Sequence, residues 1–206
     1  MNVAIIDSGV HPSHPHVGRV AGGIAITDEG DHSDYVDRLG HGTAVAAAIR
    51  EKAPRAELFA VKIFDRTLSA SVPVLVRAID WAVANGMHVV NLSLGTAALH
   101  HEDVLRRAVD RAALAGVSIT AARDHDGVRW LPGSIRSPAI LPVQLDWDCP
   151  RSEWRVGEAD GHRVYRASGF PRPIPGVHPR RNLNGISFAV ANVTGLLAGH
   201  SLRLRT

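Results

Sequence analysis

Short β-rich runs alternate with segments of helical period along most of the chain, and that alternation restricts the fold more than any other feature. Asn2 to Ile6 is an apolar run closed by Asp7-Ser8-Gly9, the pattern of a strand ending in a turn. Thr43 to Arg50 is alanine-rich and predicts a helix, and Leu58 to Ile63 reads as the next strand. Ser71 can cap a helix whose apolar positions, Val72, Leu75, Val76, Ile79 and Val83, keep a helical period, and Gly86 stops it. Val89 to Leu94 is a strand ending at Gly95. Glu102 and Asp103 then sit in a first helical turn, where the helix dipole favours acids; Val104, Leu105, Ala108, Val109 and Ala112 form the apolar face and Gly116 ends it. Val117 to Ala122 and Ile140 to Leu145 read as strands, the second weakened by Pro142, and Ser187 to Gly199 as a last helix rich in small residues. Cys149 to Pro179 is polar, rich in Pro and Gly, and takes no assignment. This order predicts one α/β domain over residues 1–206, with a doubly wound, mostly parallel sheet flanked by helices. Such sheets bind ligands outside the carboxyl ends of their strands, so the chemistry is sought there.

Composition removes several function classes. The chain has 206 residues, 45% of them hydrophobic, enough for one core. No apolar run approaches the roughly 18–20 residues of a membrane span, so no membrane partner is expected. Lys52 and Lys62 are the only lysines, and arginine supplies almost all the positive charge behind a net +3. Arg166, Arg172, Arg180, Arg181, Arg203 and Arg205 bias the C-terminal third towards basic. Aromatics are 5%, too few to interleave a basic face in the way nucleic acid requires, so no nucleic-acid partner is expected. Cys149 stands alone, which forbids an internal disulfide and reads as a structural thiol. Met1 leads almost directly into the first strand without a secretory signal, so a cytoplasmic location is expected.

Three segments hold residues suited to catalysis. Asp7 ends the first strand, His41 lies between Gly40 and Gly42 at the start of a helix, and Ser187 opens the last helix after a glycine turn. Singly, each has a plainer reading: a turn aspartate, a loop histidine, an N-cap serine. Together, in the order Asp, His, Ser along an α/β chain, they form one of the known orders of a nucleophile–base–orienter triad. Ser187 is too weak a nucleophile without a base. His41 would take its proton and return it to the leaving amine, and Asp7 would fix the imidazole tautomer and stabilise its charged form.

On these segments the sequence resembles the subtilisin-like serine peptidases. Ile5-Ile6-Asp7-Ser8-Gly9-Val10, with His14 following, is similar to the family's aspartate segment, and Gly40-His41-Gly42-Thr43-Ala44-Val45-Ala46 to its histidine segment. Asn91-Leu92-Ser93-Leu94-Gly95 looks like the family's substrate-binding strand, which implies that Ser93, Leu94 and Gly95, with Gly185, hold an extended peptide. The serine segment departs from the family pattern: Ile186 stands for the usual threonine, Ala191 for proline and Asn192 for histidine. Ala47 departs where glycine or serine is usual. Ala121-Ala122-Arg123-Asp124 replaces Ala-Ala-Gly-Asn, so the resemblance places Asp124 beside the Ser187 N–H in the oxyanion hole, as aspartate stands there in some proprotein convertases.

The resemblance implies a serine endopeptidase acting on a peptide or protein substrate; no cofactor is expected, and no metal, because the loops that hold the family's calcium sites look trimmed here. The acidic clusters of a calcium site are not seen. The chain begins at the aspartate strand, so folding without a propeptide is expected. A small peptidase of this kind is expected to have a narrow substrate, such as the leader of a modified peptide, with arginines near the cleft favouring acidic side chains. The alternatives are a peptide- or partner-binding module of the same fold without turnover, which Asp124 favours, and an unrelated α/β hydrolase, which the triad order disfavours. His11, His14, His16 and His32 could bind a metal but read as loop histidines, and Asp146-Trp147-Asp148 reads as a strand-to-loop exit instead of an acid–base pair.

Overall fold

The computed structural model describes residues 1–203, with side chains through His200. Arg205, counted in the basic bias above, lies outside the described residues, as does the Arg203 side chain. The elements are β1 (Asn2–Asp7), β2 (Gly22–Thr27), β3 (Gly30–His32), α1 (His41–Lys52), β4 (Glu57–Lys62), α2 (Val72–Ala84), β5 (Val89–Leu92), α3 (Glu102–Leu114), β6 (Ser118–Ala122), β7 (Asp124–His125), β8 (Val128–Arg129), β9 (Ile140–Leu145), β10 (Arg155–Ala159), β11 (His162–Ala167) and α4 (Ile186–Arg203).

Nine strands form one sheet in the order β10-β11-β9-β6-β5-β1-β4-β2-β3, and β7 and β8 make a separate hairpin. The seven strands from β11 to β2 run parallel, and an antiparallel hairpin partner closes each edge. Alternate residues of β1 feed opposite faces, as the two-residue period of a strand requires. Ala4 and Ile6 join the core under α2 and α3, whereas Val3 and Ile5 join the core under α1 and α4. The sheet is therefore buried on both sides and the chain is doubly wound, the class expected from the alternation.

Three differences from the sequence reading have local causes. The edge pair β2–β3 begins at Gly22-Gly23, a dipeptide that reads as a turn; a Cβ on Gly23 would lie 2.5 Å from the Ala60 carbonyl and 2.7 Å from the Tyr35 ring, so the glycine permits close packing here. The hairpin β10–β11 lies inside the unassigned polar stretch, turning at Asp160-Gly161 with φ of 52° and 73°, a dipeptide suited to tight hairpins. Pro142 sits within β9 at little cost, because β11 pairs only with Val143, Gln144 and Leu145.

Candidate active site

β1 delivers Asp7 to the carboxyl edge of the sheet, where its side chain is fully buried. Gly40, at φ 82°, turns the chain into α1, so His41 is the first helical residue and its ring comes back over β1. His41 Nδ1 lies 2.8 Å from Asp7 Oδ1, which also accepts the Ser8 N–H at 2.7 Å. Gly42 permits this approach: a Cβ there would lie 2.1 Å from the Gly9 carbonyl oxygen and 3.1 Å from Asp7 Cβ. The imidazole packs against the Phe188 ring, with centroids 5.9 Å apart. Burial opposes the imidazolium, but the hydrogen bond and charge of Asp7, with the charge of Asp37, outweigh it and raise the His41 pKa above its ordinary value.

Asp37 is a residue the sequence reading missed. It is buried, and its carboxylate accepts from the Ser8 hydroxyl, the Leu39 and Gly40 N–H groups, and both the N–H and hydroxyl of Thr43. Ser8 Oγ in turn accepts the Gly42 N–H at 2.9 Å. One carboxylate thus ties the end of β1 to the first turn of α1. The signal available was an aspartate four residues before His41, in a loop that has to satisfy the open N–H groups of a helix start.

Ser187 is the second residue of α4, preceded by Gly185 at φ 133°. Its N–H lies in the first turn, where no intrahelical acceptor exists. Its hydroxyl donates to the Ser93 carbonyl at 3.2 Å, and Ser93 Oγ donates back to the Ser187 carbonyl at 3.0 Å. Asn91 Nδ2 donates to Ser93 Oγ at 2.9 Å, and Asn91 Oδ1 accepts the Thr194 hydroxyl at 2.9 Å. Thr194 meets Thr120 Oγ1 in turn. A buried polar chain therefore runs from β6 and β5 through the core to the start of α4.

Regular strand pairing in β5 stops at Leu92, two residues before the expected end, because β6 pairs no further than Leu92 with Ala121. Among the described residues, Leu94 and Gly95 make no backbone hydrogen bond, and Thr96 pairs away with Leu131. The open segment Ser93-Leu94-Gly95, His41 and Ser187 all line one cavity of about 720 Å³. Apolar side chains including Phe64, Leu75, Trp130 and Val190 furnish much of its wall. Gly185 is not among the cavity-lining residues; it forms the turn before Ser187, its N–H held by the Gly169 carbonyl at 2.9 Å.

Asp124 is placed differently from the oxyanion expectation. Its two carboxylate oxygens accept from Gln144 Nε2 at 3.0 and 3.1 Å, and it pairs with the Arg123 guanidinium. The β7–β8 hairpin turns His125, not Asp124, into the cavity. An alternating strand cannot present both neighbours to one side, and β7 begins at Asp124, a hairpin that the sequence around Ala122 does not announce.

Elsewhere, Cys149 is buried with Sγ 3.5 Å from the Glu153 carbonyl, and burial foremost pushes its thiol up, as suits a structural cysteine. Asp146 caps the Asp148 N–H and pairs with Arg155, the behaviour of a strand-to-loop exit. The His14 and His16 rings stack edge to face, and no group of three metal-ligating side chains exists among the described residues. No helix among them is long and apolar enough to cross a membrane.

Comparison with known proteins agrees with this fold. The chain is 29% identical to Subtilisin E of Bacillus subtilis (strain 168), over 97% of the chain and 53% of that protein. It is 37% identical to a thermostable alkaline protease of Halalkalibacterium halodurans, over 95% of the chain and 55% of that protein. The chain thus spans about half the length of these two relatives. Among solved structures it is similar to the prenylagaramide maturation protease PagA, with a TM-score of 0.73 and 30% identity over 100% of this chain and 77% of that one. A model of the subtilase family matches residues 1–128, which include Asp7 and His41, and the alignments with the relatives cover nearly all of the chain. The chain belongs to the subtilase family.

Proposed function

We propose that this chain is a serine endopeptidase that cleaves a narrow set of peptides through Asp7, His41 and Ser187. The observation that carries this reading is the 2.8 Å contact of His41 Nδ1 with Asp7 Oδ1, made in the wall of the cavity that Ser187 also lines. Asp7 holds the proton on Nδ1, which leaves Nε2 free as the base. Ser187 exchanges its bond to the Ser93 carbonyl for one to Nε2 and attacks the peptide carbonyl. Negative charge then develops on the carbonyl oxygen, next to the Ser187 N–H at the positive end of α4. The protonated His41 passes its proton to the leaving amine; a water then takes the amine's place, gives its proton to the now neutral Nε2 as it attacks the acyl carbon, and His41 returns that proton to Ser187 as the acyl–oxygen bond breaks. No step calls for a cofactor.

The peptide lies extended along Ser93-Leu94-Gly95, where the early end of β5 leaves the backbone groups of Leu94 and Gly95 open. Peptide maturation as the biological task is supported by the 30% identity to a prenylagaramide maturation protease across the whole of this chain. The single cysteine suits a cytoplasmic setting.

A second reading, a peptide-binding module without turnover, is favoured by Asp124, since a carboxylate engaged by Gln144 and Arg123 offers the oxyanion no donor. A fluorophosphonate probe separates the two. Labelling of wild type that disappears in Ser187→Ala is the expected result, and well-folded protein that stays unlabelled would overturn the peptidase reading.

A further inference from the structure

Beside the peptide cavity lies a second one of about 750 Å³ with a different chemistry. Five arginines line it: Arg106 from α3, Arg123 after β6, Arg129 of β8, Arg136 before β9 and Arg163 of β11. Only two carboxylates, Glu102 and Asp160, line it with them. Arg106 and Arg129 share Glu102, at 2.6 and 3.5 Å. Arg123 bridges Asp160 and Asp124. Arg136 and Arg163 have no carboxylate partner among the described residues.

The two cavities share a wall. Trp130 lines the peptide cavity and Arg129 the arginine cavity; His101 and Glu102 divide in the same way, and so do Ala122 and Arg123. The segment is fixed to the peptide-binding strand by reciprocal 2.9 Å hydrogen bonds between Thr96 and Leu131. The cavities adjoin along these three residue pairs, so an extended peptide filling one can continue into the other.

We propose that the arginine cavity is a second binding site for an acidic segment of the same peptide whose scissile bond lies at Ser187. The proposal takes from the peptidase reading only the identity of what fills the neighbouring cavity. Its ligand class follows from the forks already in use: Arg106, Arg123 and Arg129 each hold a carboxylate of the protein, which is the geometry a planar guanidinium offers to Asp and Glu side chains. Arg136 and Arg163 are left for incoming carboxylates. No Phe, Tyr or Trp lines this cavity and His162 is its one ring on which a base could stack, which favours a peptide over a nucleic acid.

The test uses the full chain with Ser187→Ala, so binding is read without turnover. A fluorescein-labelled peptide rich in glutamate, its glutamine counterpart and a single-stranded oligonucleotide of equal length are titrated by anisotropy. The glutamate peptide should bind at least about fivefold tighter than the glutamine peptide at low salt, lose that margin at high salt, and lose it in R136Q/R163Q. Hydrogen exchange of the chain bound to the glutamate peptide should show protection at 134–137 and 162–163, which keeps the question open to measurement even where the double variant folds poorly. Equal binding of the two peptides, protection elsewhere, or tighter arginine-dependent binding of the oligonucleotide would each overturn the proposal. Failure of the wild type to cleave any peptide, with glutamate-specific binding intact, would instead remove the peptidase reading and leave this site standing.

Discussion

Asp37 takes both the backbone N–H and the hydroxyl of Thr43, at 2.9 and 2.6 Å, and so clamps the first turn of the helix that begins with His41. The remaining oxygen receives Ser8, Leu39 and Gly40. Every neighbour of this carboxylate is a donor, so an amide in its place would set its own N–H groups against them. Asp37→Asn is expected to lower the unfolding free energy by about 2–4 kcal/mol and to depress turnover with it. Urea denaturation followed by fluorescence checks the first part, and a variant as stable as wild type would contradict it.

The same clamp gives acid sensitivity a definite sign. Burial opposes the Asp37 charge, but the Thr43, Leu39 and Gly40 donors outweigh it and hold the carboxyl below its ordinary value of 3.8. A group whose folded pKa is depressed stabilises the fold above its unfolded pKa and loses that contribution as pH falls through the folded value. The stability of wild type should therefore fall along a limb below the ordinary carboxylate range, and that limb should be shallower in Asp37→Asn. Denaturation midpoints collected across the acid range decide it.

His41 has the opposite sign. Its raised pKa makes the protonated ring the one the fold favours, a contribution complete below the ordinary 6.5 and lost as pH rises through the folded value. Catalysis needs the neutral ring, so kcat/KM should rise with pH along a limb centred above 6.5. Asp7→Asn removes the largest raising influence. The limb should move to lower pH while the rate drops by about 10⁴-fold, because the tautomer is no longer held. A pH–rate profile in which the limb stays in place would separate Asp7 from His41.

At Asp124, a true oxyanion donor would cost about 10²–10³-fold in turnover when removed. Because its carboxylate is held by Gln144 and Arg123 and lies outside the lining of the cavity, Asp124→Asn is expected to change kcat by less than about threefold and to add no new limb to its pH dependence. A hundredfold effect in either direction would restore Asp124 to the reaction.

Asn91 is buried between Ser93 and Thr194. Asn91→Ala removes the donor to Ser93 Oγ and one acceptor of the Thr194 hydroxyl, which keeps the Val190 carbonyl, and should cost about 1–3 kcal/mol. If the chain positions the start of α4, fluorophosphonate labelling of Ser187 should also slow in protein that remains folded. Unchanged labelling would confine Asn91 to stability.

How far the sequence reveals this arrangement depends on where its information is stored. β1, β4, β5 and β6 are buried on both faces and their apolar runs are unmistakable, whereas β9 is half-buried and its run is interrupted by Pro142; α2 and α3 announce themselves by period and by Gly86 and Gly116. β2 was hidden by Gly22-Gly23, whose meaning is a close approach to Ala60 and Tyr35 that exists only once the sheet is built. The β10–β11 hairpin lay among polar residues because it is an exposed edge, although Asp160-Gly161 was a readable turn. Within the site, Asp7, His41 and Ser187 stand out through their flanking glycines and element ends. Asp37 does not, since its importance resides in five donors drawn from Ser8 just after β1, the loop before His41 and α1. Asp124 misled because one residue of register in a two-residue strand decides which side chain faces the cavity.

The way α4 is threaded has a consequence for the timing of synthesis. Asp7 and His41 stand 34 residues apart, but Ser93 and Ser187 are separated by 94. The helix bearing Ser187 packs on α1 and on β5, β6, β9 and β11 together, so its resting place exists only after the rest of the sheet is in order. Such distant contacts form late. If Asp7, His41 and Ser187 act as proposed, a chain still leaving the ribosome holds the base and its carboxylate before the hydroxyl they would activate has been made, and chain order alone keeps the half-built protein from cutting itself or its neighbours.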